Sequence, residues 1–315
     1  MLSGQLSSVI FKQSSILICT CMKQALFKLH SAIFLWGFTG ILGRLISLNE
    51  GLLVWYRILI TIITLYFLMR FNNQLQSVAV KQRTQLFAIG GIVAFHWCFF
   101  YGSIKYSNVS IALTCLSSTG LFTAILEPII TGKKIVIPEI LLGLVAIAGI
   151  YLIFHFDPQY KTGIILGIVS ALLSCVFAIF NKTQVSYNTP RTVMLYELTG
   201  GFLLLTLFMP LYLYLLPTPH LVPGRMDIVW LLLMSWVCTI LAMDLSLQAL
   251  QKVSAFTQNL TLNLEPVYGI ILAFLVYKEN KYLSQWFYLG FTLILLAVFL
   301  QMIRIVNSRK KLAIV

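Results

Sequence analysis

Nine Asp and Glu residues occur in the chain, and four of them fall inside long apolar stretches: Glu127, Glu197, Asp244 and Glu265. The other five, Glu50, Glu139, Asp157, Asp227 and Glu279, fall in the breaks between stretches and read as loop acids. A charge at the centre of a membrane helix costs about 2.5–3.5 kcal/mol on insertion scales, so a buried acid must face a partner or a wet cavity. Glu265 is followed by Pro266, which has no N–H and frees carbonyls one turn back. A carboxylate beside freed carbonyls can hold an ammonium group or carry a proton; the alternative is an acid that stays protonated and bonds a neighbouring helix. Gln258 and Thr261, seven and four residues earlier, share its helical stripe, and Asn259 and Asn263 share it in part.

The same reasoning extends to other groups. Arg57 can attract a substrate carboxylate and Glu197 can act at an inner mouth, although either can also be an interfacial anchor that snorkels. His96, beside Trp97, can relay protons or be a hydrogen-bonded core histidine. Asp244 is expected to be satisfied by Lys252 or water. Glu127, before Pro128, suits a gate or a charge pair with Lys133 or Lys134, with a structural role as the alternative. Ser117, Ser118, Thr119 and Gly120 are small enough to allow close packing or leave cavity room. Tyr268, with Trp36, Trp97 and Tyr101, is a further pathway candidate.

Several chemistries are missing. His30, His96, His155 and His220 are scattered, and no two buried acids lie within four positions of each other, so no metal site or catalytic residue is expected. Cys98, Cys115, Cys175 and Cys238 lie in four different apolar stretches and read as small hydrophobes, and Cys19 and Cys21 have no companion ligands. There is no phosphate-cradling loop for ATP. No cofactor is expected, and the chain does not read as an enzyme. The alternative, a membrane enzyme acting on a lipid-linked substrate, lacks the clustered carboxylates it would need.

These residues are carried by an unusual chain. Of its 315 residues, 59% are hydrophobic and 10% charged, against about 25% charged in an average soluble domain, which excludes a soluble fold. Ten apolar stretches are expected to span a membrane, at 29–48, 51–71, 84–104, 108–131, 137–156, 162–181, 191–216, 227–249, 254–277 and 282–304. Each is near the ~20 residues a crossing needs. Residues 1–28 are expected to be an extension, with Met22-Lys23-Gln24 a more natural start, and 305–315 a basic cytoplasmic tail. With the N-terminus inside, fifteen Lys and Arg fall on the cytoplasmic side and five outside, with Arg44 and Arg57 in or near the bilayer. The positive-inside rule then puts both termini in the cytoplasm and explains the net charge of +13 without nucleic acid.

The segment from Gly120 to Lys133 matches that from Pro266 to Glu279 at an offset of 146, and Val54 to Arg57 matches Met194 to Glu197 at an offset of 140. A five-span unit repeated once must invert, because five is odd. The expected fold is therefore all-α and membrane-integral, with ten transmembrane helices as two inverted five-helix repeats, 29–156 and 162–304. On Glu265-Pro266 through Lys278-Glu279, Trp36-Gly37 and Arg57, the chain resembles the EamA family of the drug/metabolite transporter superfamily. It departs from that family where Gly120 replaces a proline and Lys133 a glutamate. The resemblance implies secondary transport of small metabolites, often export of amino acids or related compounds, across a bacterial inner membrane. Alternating access would rock the halves about a midplane site. Expected partners are the small-molecule substrate, a coupled proton or ion, membrane lipids and at most a second copy in a homodimer.

Overall fold

The structure, a computed structural model, describes residues 22–132, 134, 136–156, 158–253, 258, 261–262 and 264–312. The described residues are helical apart from short turns. In chain order the helices are α1 (Met22–Leu45), α2 (Glu50–Phe71), α3 (Val80–Tyr106), α4 (Val109–Thr131) and α5 (Ile137–Phe156), followed by α6 (Lys161–Gln184), α7 (Pro190–Leu215), α8 (Arg225–Leu250), α9 (Leu264–Tyr277) and α10 (Gln285–Leu312). Helices α1 to α4 and α6 to α8 are long and apolar enough to cross a bilayer; α5, α9 and α10 hold shorter apolar stretches. Helix α1 starts ahead of the expected span, at Met22; Asn259, Asn263 and Lys133 lie outside the described residues.

Local chemistry sets the boundaries. Asn49 caps α2 by accepting from Leu52 N at 2.9 Å, and Asn108 caps α4 by accepting from Ile111 N at 2.8 Å. Gly132 ends α4 in the left-handed region, φ 68°, where a side chain would be strained.

Helix α3 is the central element, packed along α6 and α7, while α5 runs along α10 and α8 crosses α2 and α1. Small residues make these contacts close. A Cβ on Gly90 of α3 would collide with the Glu197 carbonyl of α7. On α6, Gly163 and Gly167 lie against Ser103, Ser107 and Cys115, and Ser103 Oγ donates to Gly163 O at 2.6 Å. Large side chains such as Leu203, Leu207 and Leu211 of α7 point outward, forming an apolar exterior far beyond what a soluble surface carries.

Hydrogen bonds sort the connections into two ends. At one end, Lys105 donates to the carbonyls of Ile46 and Leu48, and Asp227 accepts from Ser47 N at 2.8 Å, Ser47 Oγ at 2.6 Å and Gly224 N at 3.1 Å. Glu279 accepts there from Arg44, Val109 and Ser110. Asp227 and Glu279 are thus not solvated loop acids: both are buried, because each satisfies backbone donors of another loop or helix end. At the other end, Lys182 donates to the carbonyls of Leu250 and Val253, both at 2.6 Å. Arg191 there reaches Gln74 at 2.9 Å and Asp244 at 3.2 Å. Asp244 is therefore satisfied by Arg191, not by Lys252, since the start of α7 lies closer to it than the α8–α9 turn.

Candidate functional site

Three helices lose regular geometry around one cavity, and a fourth carries a proline there. Helix α1 breaks at Phe38, where Thr39 Oγ1 donates back to Trp36 O at 2.7 Å. Helix α4 divides at Ser117-Ser118 into Val109–Leu116 and Thr119–Thr131. Helix α8 widens into a π turn over Trp236–Leu241, and α9 carries Pro266. The freed groups are re-satisfied locally: Thr239 Oγ1 donates to Met234 O at 2.8 Å, and Trp36 Nε1 donates across to Cys238 O at 3.0 Å. Irregular backbone within an apolar bundle is tolerated where it is buried in protein or lines a cavity, and π turns recur at functional sites.

The cavity is there. About 860 Å³ of space, part of it open to solvent, lies between α1, α2, α3, α4, α6, α8 and α9. Trp36, Trp97, Phe100, Tyr101 and Phe177 give it aromatic walls. Two charged side chains face it, Arg57 from α2 and Glu265 from α9, and both are buried. Arg57 does not snorkel. Its Nε donates to Thr239 Oγ1 at 2.8 Å, its Nη1 donates to Tyr101 OH at 2.6 Å, and its guanidinium carbon sits 3.9 Å from the Trp97 ring centroid. The cation is fixed by contacts that leave its charge unneutralised. Among the described residues, no ion pair within 4 Å joins it to Glu265.

His96 also lines the cavity, with Nδ1 2.8 Å from Ser170 O and 2.9 Å from Ser170 Oγ. Thr119 reaches the wall; its neighbours do not, since Ser117 Oγ and Ser118 Oγ donate back to Leu113 O and Cys115 O and so satisfy the broken helix. Gly120, Tyr268 and Thr261 stand outside the lining, with Tyr268 packed edge-on to Phe34. Glu127 is buried away from the cavity. Glu197 is fully buried one step behind the wall, accepting from Asn181 Nδ2 at 3.2 Å.

Sequence reasoning misses Asn181 and Ser246 in the lining, whereas Gln258, expected on the Glu265 stripe, does reach the wall. Asn181 Oδ1, Ser246 Oγ and Gln258 Oε1 are buried polar atoms without a hydrogen-bond partner, and all three residues face the cavity. Buried polar atoms are normally paired, so these offer acceptors to whatever enters. Among the described residues, no three His, Cys, Asp or Glu gather as a metal site.

The EamA-like transporter family model matches this chain twice, over residues 24–155 and 161–303. The chain belongs to the EamA-like transporter family. As an EamA protein of the drug/metabolite transporter superfamily it is a multi-pass membrane protein, and its charged cavity lies within the matched regions. A Haemophilus influenzae protein named "Uncharacterized transporter" is 28% identical over 166 residues, 49% of this chain. The chain spans about half, 53%, of the length of that relative. A solved crystal structure superposes with a TM-score of 0.61 at 14% identity, covering 87% of this chain and 95% of the other, a likeness of fold alone.

Proposed function

We propose that this EamA protein is a secondary transporter that exports small metabolites, amino acids or related compounds, across a bacterial plasma membrane by alternating access. The observation that carries the reading is Arg57 and Glu265 facing one aromatic cavity without pairing to each other. A ligand with a carboxylate and an ammonium group would bridge them. Glu265 and His96 are the candidates for binding a coupled proton.

The packing supports two inverted five-helix units, 29–156 and 162–304. Helix α3 packs on α6 and α7 as α8 packs on α1 and α2, the pairing that exchange of the two units would produce. Between α5 and α10, a Cβ on Gly149 would strike the Gly290 carbonyl, and a Cβ on Gly290 the Gly149 carbonyl. The last helices of the two units therefore meet backbone to backbone, which suits a close contact between paired units. Basic residues favour the Arg191 end as cytoplasmic, with both termini there.

The test is flux in proteoliposomes. A panel of amino acids, amines, sugars and nucleobases is offered with and without a proton gradient. Transport of a zwitterion that is weakened in Arg57→Lys and lost in Glu265→Gln supports the reading. Absence of flux for the whole panel, or full activity in Glu265→Gln with unchanged pH dependence, overturns it.

A further inference from the structure

Glu279 joins three of the helices that line the cavity. Its Oε2 accepts from Ser110 N at 2.9 Å and from Ser110 Oγ at 2.6 Å, and its Oε1 accepts from Val109 N at 3.2 Å and from Arg44 Nη1. The carboxylate thus closes the N-terminus of α4, where free N–H groups and the helix dipole favour an anion. Arg44 reaches it from α1 and also lies over the Tyr277 ring of α9, 4.3 Å from its centroid. Tyr277 OH in turn donates to Ile41 O of α1 at 2.9 Å. Ile41, Val109, Leu113 and Ile270 of the same helices, with Ile104 of α3, are buried in one apolar cluster.

Toward the other end the lining is of a different kind. There stand the unpaired acceptors of Asn181, Ser246 and Gln258, next to the fully buried Glu197. One side of the cavity is dry and clamped; the other is polar with hydrogen-bonding capacity to spare.

We propose that Glu279 is the latch of a gate at its end of the molecule: its bonds to Arg44, Val109 and Ser110 hold α1, α4 and α9 together, and they break when the cavity opens to that side. The inference rests on the alternating-access reading for the need to open at all. The sequence adds an asymmetry. At the repeat offset of 146, Lys133 occupies the place of Glu279, and an ammonium group cannot accept from helix N–H donors. The same latch cannot form in the first unit, so the resting protein is closed at the Glu279 end. Arg44 is 42% exposed, which lets water replace Glu279 as its partner when the gate parts.

Cys238 lines the cavity and serves as a native reporter. In full-length protein keeping Cys238 and lacking the other five cysteines, a charged, membrane-impermeant thiol reagent is applied to vesicles of known orientation. Wild-type Cys238 is expected to react from the Arg191 side and to be protected from the Glu279 side. Glu279→Gln and, independently, Arg44→Gln should raise labelling from the Glu279 side roughly tenfold or more, the scale expected when a hydrogen bond to a charged group is removed from one state of an equilibrium. If Glu279→Gln does not insert stably, Arg44→Gln carries the test. Unchanged labelling in the inserted variants, or an equal rise from both sides, overturns the proposal. Labelling needs no substrate, so this failure is distinguishable from absence of flux.

Discussion

Arg57 shows why residue type matters more than charge in this cavity. Its fork donates in two directions, to Thr239 and Tyr101, while its flat face lies on Trp97. A lysine keeps the charge but cannot reproduce this geometry. Arg57→Lys is therefore expected to raise the KM for substrate about tenfold or more, the loss of at least one charged hydrogen bond, with little change in yield; an unaltered KM in the flux assay would show that Arg57 is scaffold. Asn181 makes the complementary case. Its Nδ2 is the donor recorded to the buried Glu197 carboxyl. Asn181→Leu should lower stability by about 1–3 kcal/mol, the cost of leaving a buried polar group unpaired, read as a fall in Tm of the purified protein; an unchanged Tm would mean that Glu197 finds another donor. Ionisable side chains in apolar stretches stand out in a sequence, which is how Arg57, His96 and Glu265 could be singled out. Gln258 could be placed on the Glu265 stripe, but Asn181 and Ser246 could not be singled out, because neutral polar groups are common in such helices and only three-dimensional packing reveals which acceptors go unmet.

At the level of elements, ten apolar stretches could be read from hydropathy and charged breaks because apolar runs of this length leave few alternatives. The irregularities inside them were less visible. Pro266 falls in the first turn of α9 and Ser117-Ser118 hints at a break in α4, but Trp236–Leu241 contains no proline or glycine to signal a π turn. That turn is held by one bond within the helix, Thr239 Oγ1 back to Met234 O, and one tertiary bond, Trp36 Nε1 across to Cys238 O. Asp227 and Glu279 were misjudged for a related reason. Position in a break says nothing about which foreign backbone donors a carboxylate will meet. Thr239→Val removes both the π-turn bond and the acceptor for Arg57 Nε. It should weaken substrate binding as Arg57→Lys does, while Thr239→Ser should restore it. If valine binds substrate as well as threonine, the π turn does not position Arg57.

For the whole molecule, the decisive geometry is the relation between the two matched regions. In the proposed arrangement an odd number of spans per unit turns the second unit over, so every loop of one unit would face the side opposite its counterpart. Gly149 and Gly290 each lie against the other's carbonyl, so the last helices of the two units, α5 and α10, meet there backbone to backbone. Two measurements follow from this arrangement. A larger side chain at either glycine must push the same two helices apart, so Gly149→Val and Gly290→Val should each destabilise the protein by about 1–3 kcal/mol, the usual cost of overpacking. The double variant should cost less than the two singles combined, because the second side chain enters a gap the first has opened. A strictly additive Tm loss would place the glycines in independent contacts. Sidedness gives the second check. Fifteen basic residues against five should hold 72–79, 185–189 and both termini in the cytoplasm, and 216–224 outside. A cytoplasm-dependent fluorescent reporter at the C-terminus should glow, and a periplasm-dependent phosphatase inserted at 218–222 should be active. The opposite pair of results would invert the molecule and turn the latched Glu279 end toward the cytoplasm, making the same clamp an inner gate and export the wrong direction for a cavity that rests open to the other side.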